Sequence, residues 1–168
     1  MTTPPTPSAL QALPNAGLLR RLAAMLYDSL LVMAVAMAYG GLLLLIQVQV
    51  LGRSFAPGEK ADMGIFGLLG LIAVICLFFC VFWRRGGQTL GMRAWRLRLV
   101  AENGEVPSWG SCLLRTGLAP LSLAAAGLGY LWCLLDQQGS TLHDRISRSR
   151  VVLLPKRPKN KRPKKKAS

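Results

Sequence analysis

The chain has 168 residues, about the length of one domain, and carries 21 Lys and Arg against 7 Asp and Glu. Its formal net charge of +14 is unevenly spread: residues 22–52 hold one charge, and residues 63–83 and 116–135 hold none. A soluble domain needs charges over its surface, so this distribution argues against one, and glycines without a period exclude a collagen-like chain. Because the cations flank apolar blocks, we interpret them as contacts for anionic lipid headgroups and expect no nucleic-acid partner.

Residues 1–16 contain four prolines and no charge, which predicts a disordered N-terminal extension. Residues 17–154 then form an all-α membrane domain by our interpretation. A bilayer core about 30 Å thick needs about 20 helical residues, and the three apolar blocks predict spans at about 22–45, 65–83 and 113–135. The first block is too long for the core of a cleavable signal peptide, so we expect it to remain as an anchor.

A basic segment lies between the second and third blocks, and part of it alternates with period two. Trp95, Leu97 and Leu99 alternate with Arg96 and Arg98, and a turn-forming run of residues 102–105 follows. This pattern predicts a short cytoplasmic β-hairpin near residues 95–107.

The third apolar block is interrupted by Pro120 and by glycines at 117, 127 and 129. The positive-inside rule places the N-terminus, the middle segment and the C-terminus in the cytoplasm, because the most basic segments lie there. Two full spans plus a re-entrant helical hairpin over the third block satisfy all three placements. The alternative is a single third span with an external tail.

Residues 155–168 form a basic tail, in which eight of the eleven residues from 156 to 166 are Lys or Arg. This composition buries nothing and predicts a disordered cytoplasmic segment. We expect it to be attracted to anionic lipid, at about 1 kcal/mol per cation near the surface.

Asp28 is an acid inside the first predicted span, where a carboxylate costs about 2.5–3.5 kcal/mol. It should therefore face the protein interior and have a partner. Arg21 lies two helical turns earlier on the same face, and Arg96, Arg115, His143 and Asp144 are further candidates. The charges either form a structural ion network or carry a proton or cation relay, and the sequence leaves both open.

The polar run 143–145 holds the chain's one histidine, His143, beside Asp144. One histidine without a nucleophile or a Cys-x-x-Cys pair makes neither a catalytic set nor a metal site. The run at residues 86–91 lacks the Lys-Ser/Thr ending of a nucleotide-binding loop. We therefore expect no enzyme activity, no metal and no cofactor.

Three segments in this order resemble the RDD family of small bacterial membrane proteins, over roughly residues 17–154: Arg20-Arg21-Leu-Ala-Ala-Met-Leu-Tyr-Asp28, Gly87-Gln88-Thr89-Leu90-Gly91-Met92-Arg93 and Leu142-His143-Asp144. The family is named for one arginine and two aspartates. The resemblance implies Arg21 for the arginine, with Arg20 as the competitor, and Asp28 for the first aspartate.

The second aspartate is assigned to Asp144, with Asp136 as the less favoured match. Many relatives have Lys where this chain has Met92, so a cation at that position is not general to the family. Some relatives are described as sodium/proton antiporters.

Two functions follow as expectations. One is a transport-related protein, such as a cation/proton exchanger that works as an oligomer because one small chain cannot enclose a pathway. The other is a non-enzymatic membrane accessory or assembly module whose buried charges are structural. In either case we expect a multi-pass protein of the bacterial inner membrane. Its partners would be anionic lipid and a second copy or another membrane protein.

Overall fold

The computed structural model describes residues 6–56, 59, 61–124, 131–132, 136 and 140–156. Its two longest helices are α2 (Leu18–Gln49) and α3 (Gly64–Gly86), and both are long and apolar enough to cross a membrane. In their most apolar windows, only 0% and 6% of residues are buried by the protein itself. Large side chains such as Met37 and Phe66 are exposed. Such extensive apolar surface is what lipid, rather than water, solvates.

The two long helices contain the predicted spans 22–45 and 65–83 and extend beyond them at both ends. They meet through Tyr39, whose hydroxyl donates to the carbonyl oxygen of Gly67 at 3.0 Å. The helix α3 ends where Gly87 adopts a left-handed conformation, with φ +67°, which a residue without Cβ adopts at little cost. Arg84 and Arg85 occupy its last turn, where cations complement the helix dipole.

A small antiparallel sheet forms from β1 (Leu97–Ala101) and β2 (Ser149–Leu153), in which Leu99 pairs with Val151. The prediction of a strand after residue 95 is confirmed, but the prediction of a local hairpin over residues 95–107 is wrong. The turn does form, because the amide of Ala101 donates to the carbonyl of Glu105. No second strand follows it, and the next residues include Pro107, which has no N–H to donate to a ladder. The partner strand comes instead from residues 149–153.

Both faces of this sheet are covered. One face carries Leu97, Leu99 and Val151 into a core with Trp83 and Met92, beside the ends of α2 and α3. The other face carries Val100 and Val152, against which Leu10 packs.

The residue that covers the second face belongs to α1 (Pro7–Gln11), within the segment 1–16 for which the sequence predicts disorder. The structure differs here: Leu10 is only 4% exposed, and Ala16 donates its amide to the carbonyl of Val151. Residues 1–5 lie outside the described part of the chain. Burial of apolar side chains on the sheet therefore orders residues 6–16, which by composition alone would not fold.

The third apolar block begins as α5 (Trp109–Ala124), with Pro120 inside the helix. The short helices α4 (Leu90–Ala94) and α6 (Leu142–Ile146) complete the described elements. Residues 125–130 and 133–135, on which the re-entrant hairpin depends, lie outside the described residues. The tail from residue 157 onward does so as well.

Candidate functional site

Asp28 is buried within α2, and α4 supplies the hydrogen bonds that satisfy it. The Thr89 hydroxyl donates to its Oδ2 at 2.5 Å, and the Gly91 amide donates to its Oδ1 at 2.9 Å. Both carboxylate oxygens are thus held by donors from a segment more than 60 residues away. Hydrogen bonds to a charged group contribute about 1.5–3 kcal/mol each, which is comparable to the insertion cost of one acid.

The loop that receives Asp28 is shaped by its own sequence. Gly87 ends α3, and its carbonyl accepts from the Leu99 amide at 2.7 Å, which ties the loop to β1. The Gln88 side chain donates from Nε2 to the Leu97 carbonyl at 2.5 Å. Thr89 then caps α4, because its Oγ1 accepts from the Met92 amide. The loop therefore connects α3, the sheet and Asp28.

Gly91 is required by close approach rather than by backbone conformation. A Cβ at this position would overlap the Ala24 carbonyl and lie 2.8 Å from Asp28 Oδ1. No side chain fits there unless α4 moves away from α2. The Gly91 amide could then no longer reach the Asp28 carboxylate.

A second buried carboxylate, Asp144 in α6, is 1% exposed and is held by two arginines. Arg21 donates from Nη1 to its Oδ2 at 2.5 Å, and Arg115 donates from Nη1 to its Oδ1. The Thr141 amide also donates to Oδ2, at 3.2 Å. Arg21 belongs to α2 and Arg115 to α5, so this ion triad joins three helices.

The charges of the triad set the protonation of the groups around it. Burial alone would raise the pKa of Asp144, but Arg115 and Arg21 hold it well below its usual range. Burial lowers the pKa of His143 to about 4, and the charge of Arg115 adds to the fall. At neutral pH Asp144 is therefore ionised and His143 is neutral, with Nε2 at 3.0 Å from the Thr141 hydroxyl oxygen.

The structure divides the predicted network into two separate pieces. Asp28 is bound by α4, whereas Arg21 is bound by Asp144, by the Ala16 carbonyl and by the Thr141 hydroxyl. The interaction of Arg21 with Asp28 expected along one helix face is replaced by these longer-range contacts. Arg115, a supporting candidate, lies in the triad itself.

The remaining candidates lie outside both pieces. Arg20 is half-buried, and its Nη1 has no hydrogen-bond partner among the described residues. Arg96 occupies the turn before β1 with φ +57°. Asp136 pairs with Arg145 at 2.5 Å. Of the two arginines considered for the family position, Arg21 is thus the one that contacts Asp144.

A cavity of about 440 Å³ lies between α2, α3 and α5, and both Asp28 and the triad border it. Its polar end is formed by Arg21, Arg115 and His143. The remaining wall is mostly apolar and includes Val32, Ile75, Phe79, Ala119 and Pro120. This volume is within the range of about 300–1,000 Å³ that small-molecule sites occupy.

Sequence reasoning did not assign roles to four residues that bind the buried charged groups: Thr89, Gly91, Thr141 and Ser149. Thr89 and Thr141 each precede a short helix, a position where the hydroxyl type is favoured, so a capping signal was available. Gly91 and Ser149 carry no such signal. Ser149 accepts from Arg115 at 3.2 Å across 34 residues, a distance in sequence that no local pattern reports.

The fold and site define a small, mostly helical domain with two long apolar helices and a two-stranded sheet, in which two buried carboxylates join helices α2, α4, α5 and α6. Comparison with known families matches residues 15–148 to the RDD family. The chain belongs to the RDD family. No curated protein and no solved structure matches it. The family and the two apolar helices together point to a membrane protein.

Proposed function

We propose that this protein is a non-enzymatic accessory or assembly module of the membrane, in which the buried charges hold the spanning helices to a small extramembrane sheet. The observation that carries the proposal is that both oxygens of Asp28 and both oxygens of Asp144 are bound by donors from other elements. A transport cycle would have to break such bonds at each turnover. As structural links, the same bonds need only form once.

The segments before α2, between α3 and α5, and after α6 are hydrogen-bonded to one another, and this supports a common side of the membrane for them. The amide of Leu153 donates to the Pro14 carbonyl, and β1 pairs with β2. Residues before α2, between α3 and α5, and after α6 therefore belong to one unit. Together with the positive-inside rule, this favours a bacterial inner-membrane protein with both termini in the cytoplasm.

A reporter fused after Ser168 tests this orientation. A fluorescent protein, which matures only in the cytoplasm, should be bright there, and alkaline phosphatase, which folds only in the periplasm, should be inactive. Active phosphatase would contradict the common side and would favour a single third span. In our proposal the chain before and after the third apolar block belongs to this hydrogen-bonded unit. We therefore infer that the block enters and leaves the membrane on the same side.

Cation/proton exchange is the second candidate function, because Asp28 borders a cavity between three helices. The carboxylate would exchange a proton for a cation after releasing Thr89. One chain of this size does not enclose a pathway, so this function requires a homo-oligomer. In the accessory function, the exposed apolar faces of α2 and α3 would instead contact lipid and another membrane protein.

Flux and stability measurements on the same variants separate the two functions. Purified protein in proteoliposomes should show no cation-driven proton flux under the accessory proposal, for the wild type or for Asp28→Asn. Thr89→Val, which removes the donor to Asp28, should lower the melting temperature, whereas Thr89→Ser should retain it. Flux in the wild type that Asp28→Asn abolishes, while the exposed Asp62→Asn leaves it intact, would refute the accessory proposal.

A further inference from the structure

Two segments of the chain repeat each other in sequence and in structure. Residues 89–101 and 141–153 align without a gap, and six of the thirteen positions are identical. Each segment forms a five-residue helix, an arginine with positive φ and a five-residue strand. The arginines are Arg96 and Arg148, with φ values of +57° and +47°. The two strands also have the same order of buried and half-buried positions, so the likeness extends along the whole segment.

The strand pairing arranges the two segments about an approximate two-fold axis. Leu99 and Val151 occupy the same position of the repeat, and they pair with each other at the centre of the sheet. Leu97, the first residue of β1, pairs with Leu153, the last residue of β2. A two-fold axis through the Leu99–Val151 pair produces this register. The short helices α4 and α6, each of which leads into one of the strands, are therefore equivalent elements of the repeat.

The outer faces of α4 and α6 combine an exposed leucine with an exposed arginine. Leu90 and Leu142 are 44% and 42% exposed, and Arg93 and Arg145, three residues later, are exposed as well. Residues three apart share a helix face, so each helix presents an apolar and a cationic group side by side. Helix α4 has no acid, and the acid of α6, Asp144, is buried. Such a face suits a lipid headgroup layer, where leucine contacts acyl chains and the long arginine side chain reaches phosphates.

The position of α4 along α2 places its outer face at the edge of the apolar span. The Gly91 amide donates to Asp28, and a Cβ on Gly91 would overlap the Ala24 carbonyl, so α4 lies against residues 24–28. At 1.5 Å per residue, these residues lie about 3–9 Å beyond residue 22, where the apolar block begins. Helices that lie in a membrane interface bury their apolar faces by about 5–10 Å. The exposed leucine of α4 is therefore level with the outer part of the acyl chains.

Trp95 and the charges around α4 agree with this placement. Trp95, which directly follows α4, is 42% exposed, and indole rings are enriched at membrane–water interfaces. The Arg93 side chain forms no ion pair within the described part of the chain, whereas its counterpart Arg145 pairs with Asp136 at 2.5 Å. Arg93 is thus available to an anionic group from outside the protein.

From these observations we propose that the outer faces of α4 and α6 form a lipid-binding surface at the membrane boundary. Leu90 and Leu142 contact acyl chains there, and Arg93 binds the phosphate of an anionic lipid. Because α4 also holds the Asp28 carboxylate, lipid on its outer face helps to keep this helix against α2. The proposal requires that α2 crosses the membrane, but it holds for both candidate functions and for either orientation of the chain.

Photocrosslinking in intact membranes identifies what covers this surface. Benzoylphenylalanine, which inserts into nearby C–H bonds, is placed at Leu90 or Leu142 of the full-length protein. Met37, 72% exposed in the apolar part of α2, is the lipid-facing control, and Asn103, exposed in the polar turn after β1, is the water-facing control. By mass spectrometry we expect lipid adducts at both leucines and at Met37, and none at Asn103. A protein adduct, or no adduct, at either leucine would overturn the proposed surface.

The identity of the crosslinked lipid tests the role of Arg93. Phosphatidylglycerol should be enriched about fivefold among the adducts at Leu90 relative to those at Met37, since one cation near a membrane surface contributes about 1 kcal/mol. Arg93→Gln should lower this enrichment and Arg93→Lys should keep it, while lipid adducts still form in both variants. Equal lipid composition at Leu90 and Met37 would refute the anionic partner.

Tryptophan fluorescence tests the same surface without an unnatural residue. In lipid nanodiscs, whose two faces are both open to solvent, phosphatidylglycerol brominated on its acyl chains should quench Trp95, and aqueous iodide should not. The difference between the wild type and Trp95→Phe isolates this indole from the other three tryptophans. A Trp95 signal that iodide quenches and brominated lipid does not would place α4 in water and overturn the proposal.

Discussion

The ion triad predicts that Arg21 is energetically coupled to Asp144 and not to Asp28. The perturbations are Arg21→Gln, Asp144→Asn and Asp28→Asn, alone and in pairs. Both members of the Arg21–Asp144 pair are buried, at 4% and 1% exposure, so water screens their interaction poorly. The amide replacements keep the size and part of the hydrogen bonding, which limits the change to the charge.

The expected loss in the free energy of unfolding depends on which charged side chains each substitution leaves without an ion-pair partner. Asp144→Asn leaves two buried arginines without an anion, a loss of about 3–5 kcal/mol in the free energy of unfolding. Arg21→Gln leaves Asp144 still paired with Arg115, so we expect a smaller loss of about 1–3 kcal/mol. In the double variant only Arg115 is left facing the uncharged residue, so the combined loss should fall short of the sum by about 0.5–3 kcal/mol.

The assay is a double-mutant cycle on reversible unfolding in mixed micelles, with Arg20→Gln as the matched control. Arg20 is the adjacent arginine and forms no ion pair among the described residues, so its replacement should be additive with Asp144→Asn within about 0.3–0.5 kcal/mol. Arg21→Gln with Asp28→Asn should also be additive. Additivity for Arg21 with Asp144, or strong coupling of Arg21 to Asp28, would refute the division of the network.

Three further predictions address close packing, protonation and the tail. Gly91→Ala should lower the free energy of unfolding by about 1–3 kcal/mol through overpacking and so lower the detergent melting temperature, whereas Gly117→Ala, with open space around it, should not. His143 has a pKa of about 4 when folded and 6.5 when unfolded, so the unfolded state binds the proton better and stability falls as pH drops from about 6.5 towards 4. Melting curves of wild type and His143→Gln should therefore converge at pH 5 relative to pH 7.5, and a pH-independent difference would contradict this. Removing residues 157–168 should leave the melting temperature unchanged but weaken sedimentation with anionic vesicles, most clearly at low salt; a large fall in melting temperature would show that the tail packs on the domain.

The sequence by itself determined the two long apolar helices. Length and hydropathy are local properties, so α2 and α3 contain the predicted spans. The period-two pattern likewise identified β1, because alternation along a strand is also local. The family was recognisable from three short segments in order, and comparison with known families places the chain in it.

Tertiary structure decided which groups meet. The strand partner of β1 lies about 50 residues downstream, so the turn signal at residues 102–105 predicted a hairpin where the chain forms only a turn. Helix α1 is ordered by packing on a sheet face that its own composition does not reveal.

The partners of the buried charged residues were likewise decided by tertiary structure. The free-energy cost of placing an acid in a membrane helix predicts that Asp28 has a partner. That cost does not depend on which donor is the partner, so it does not identify the donor. Only the path of the chain brings Thr89 and Gly91 to it, and leaves Arg21 to Asp144.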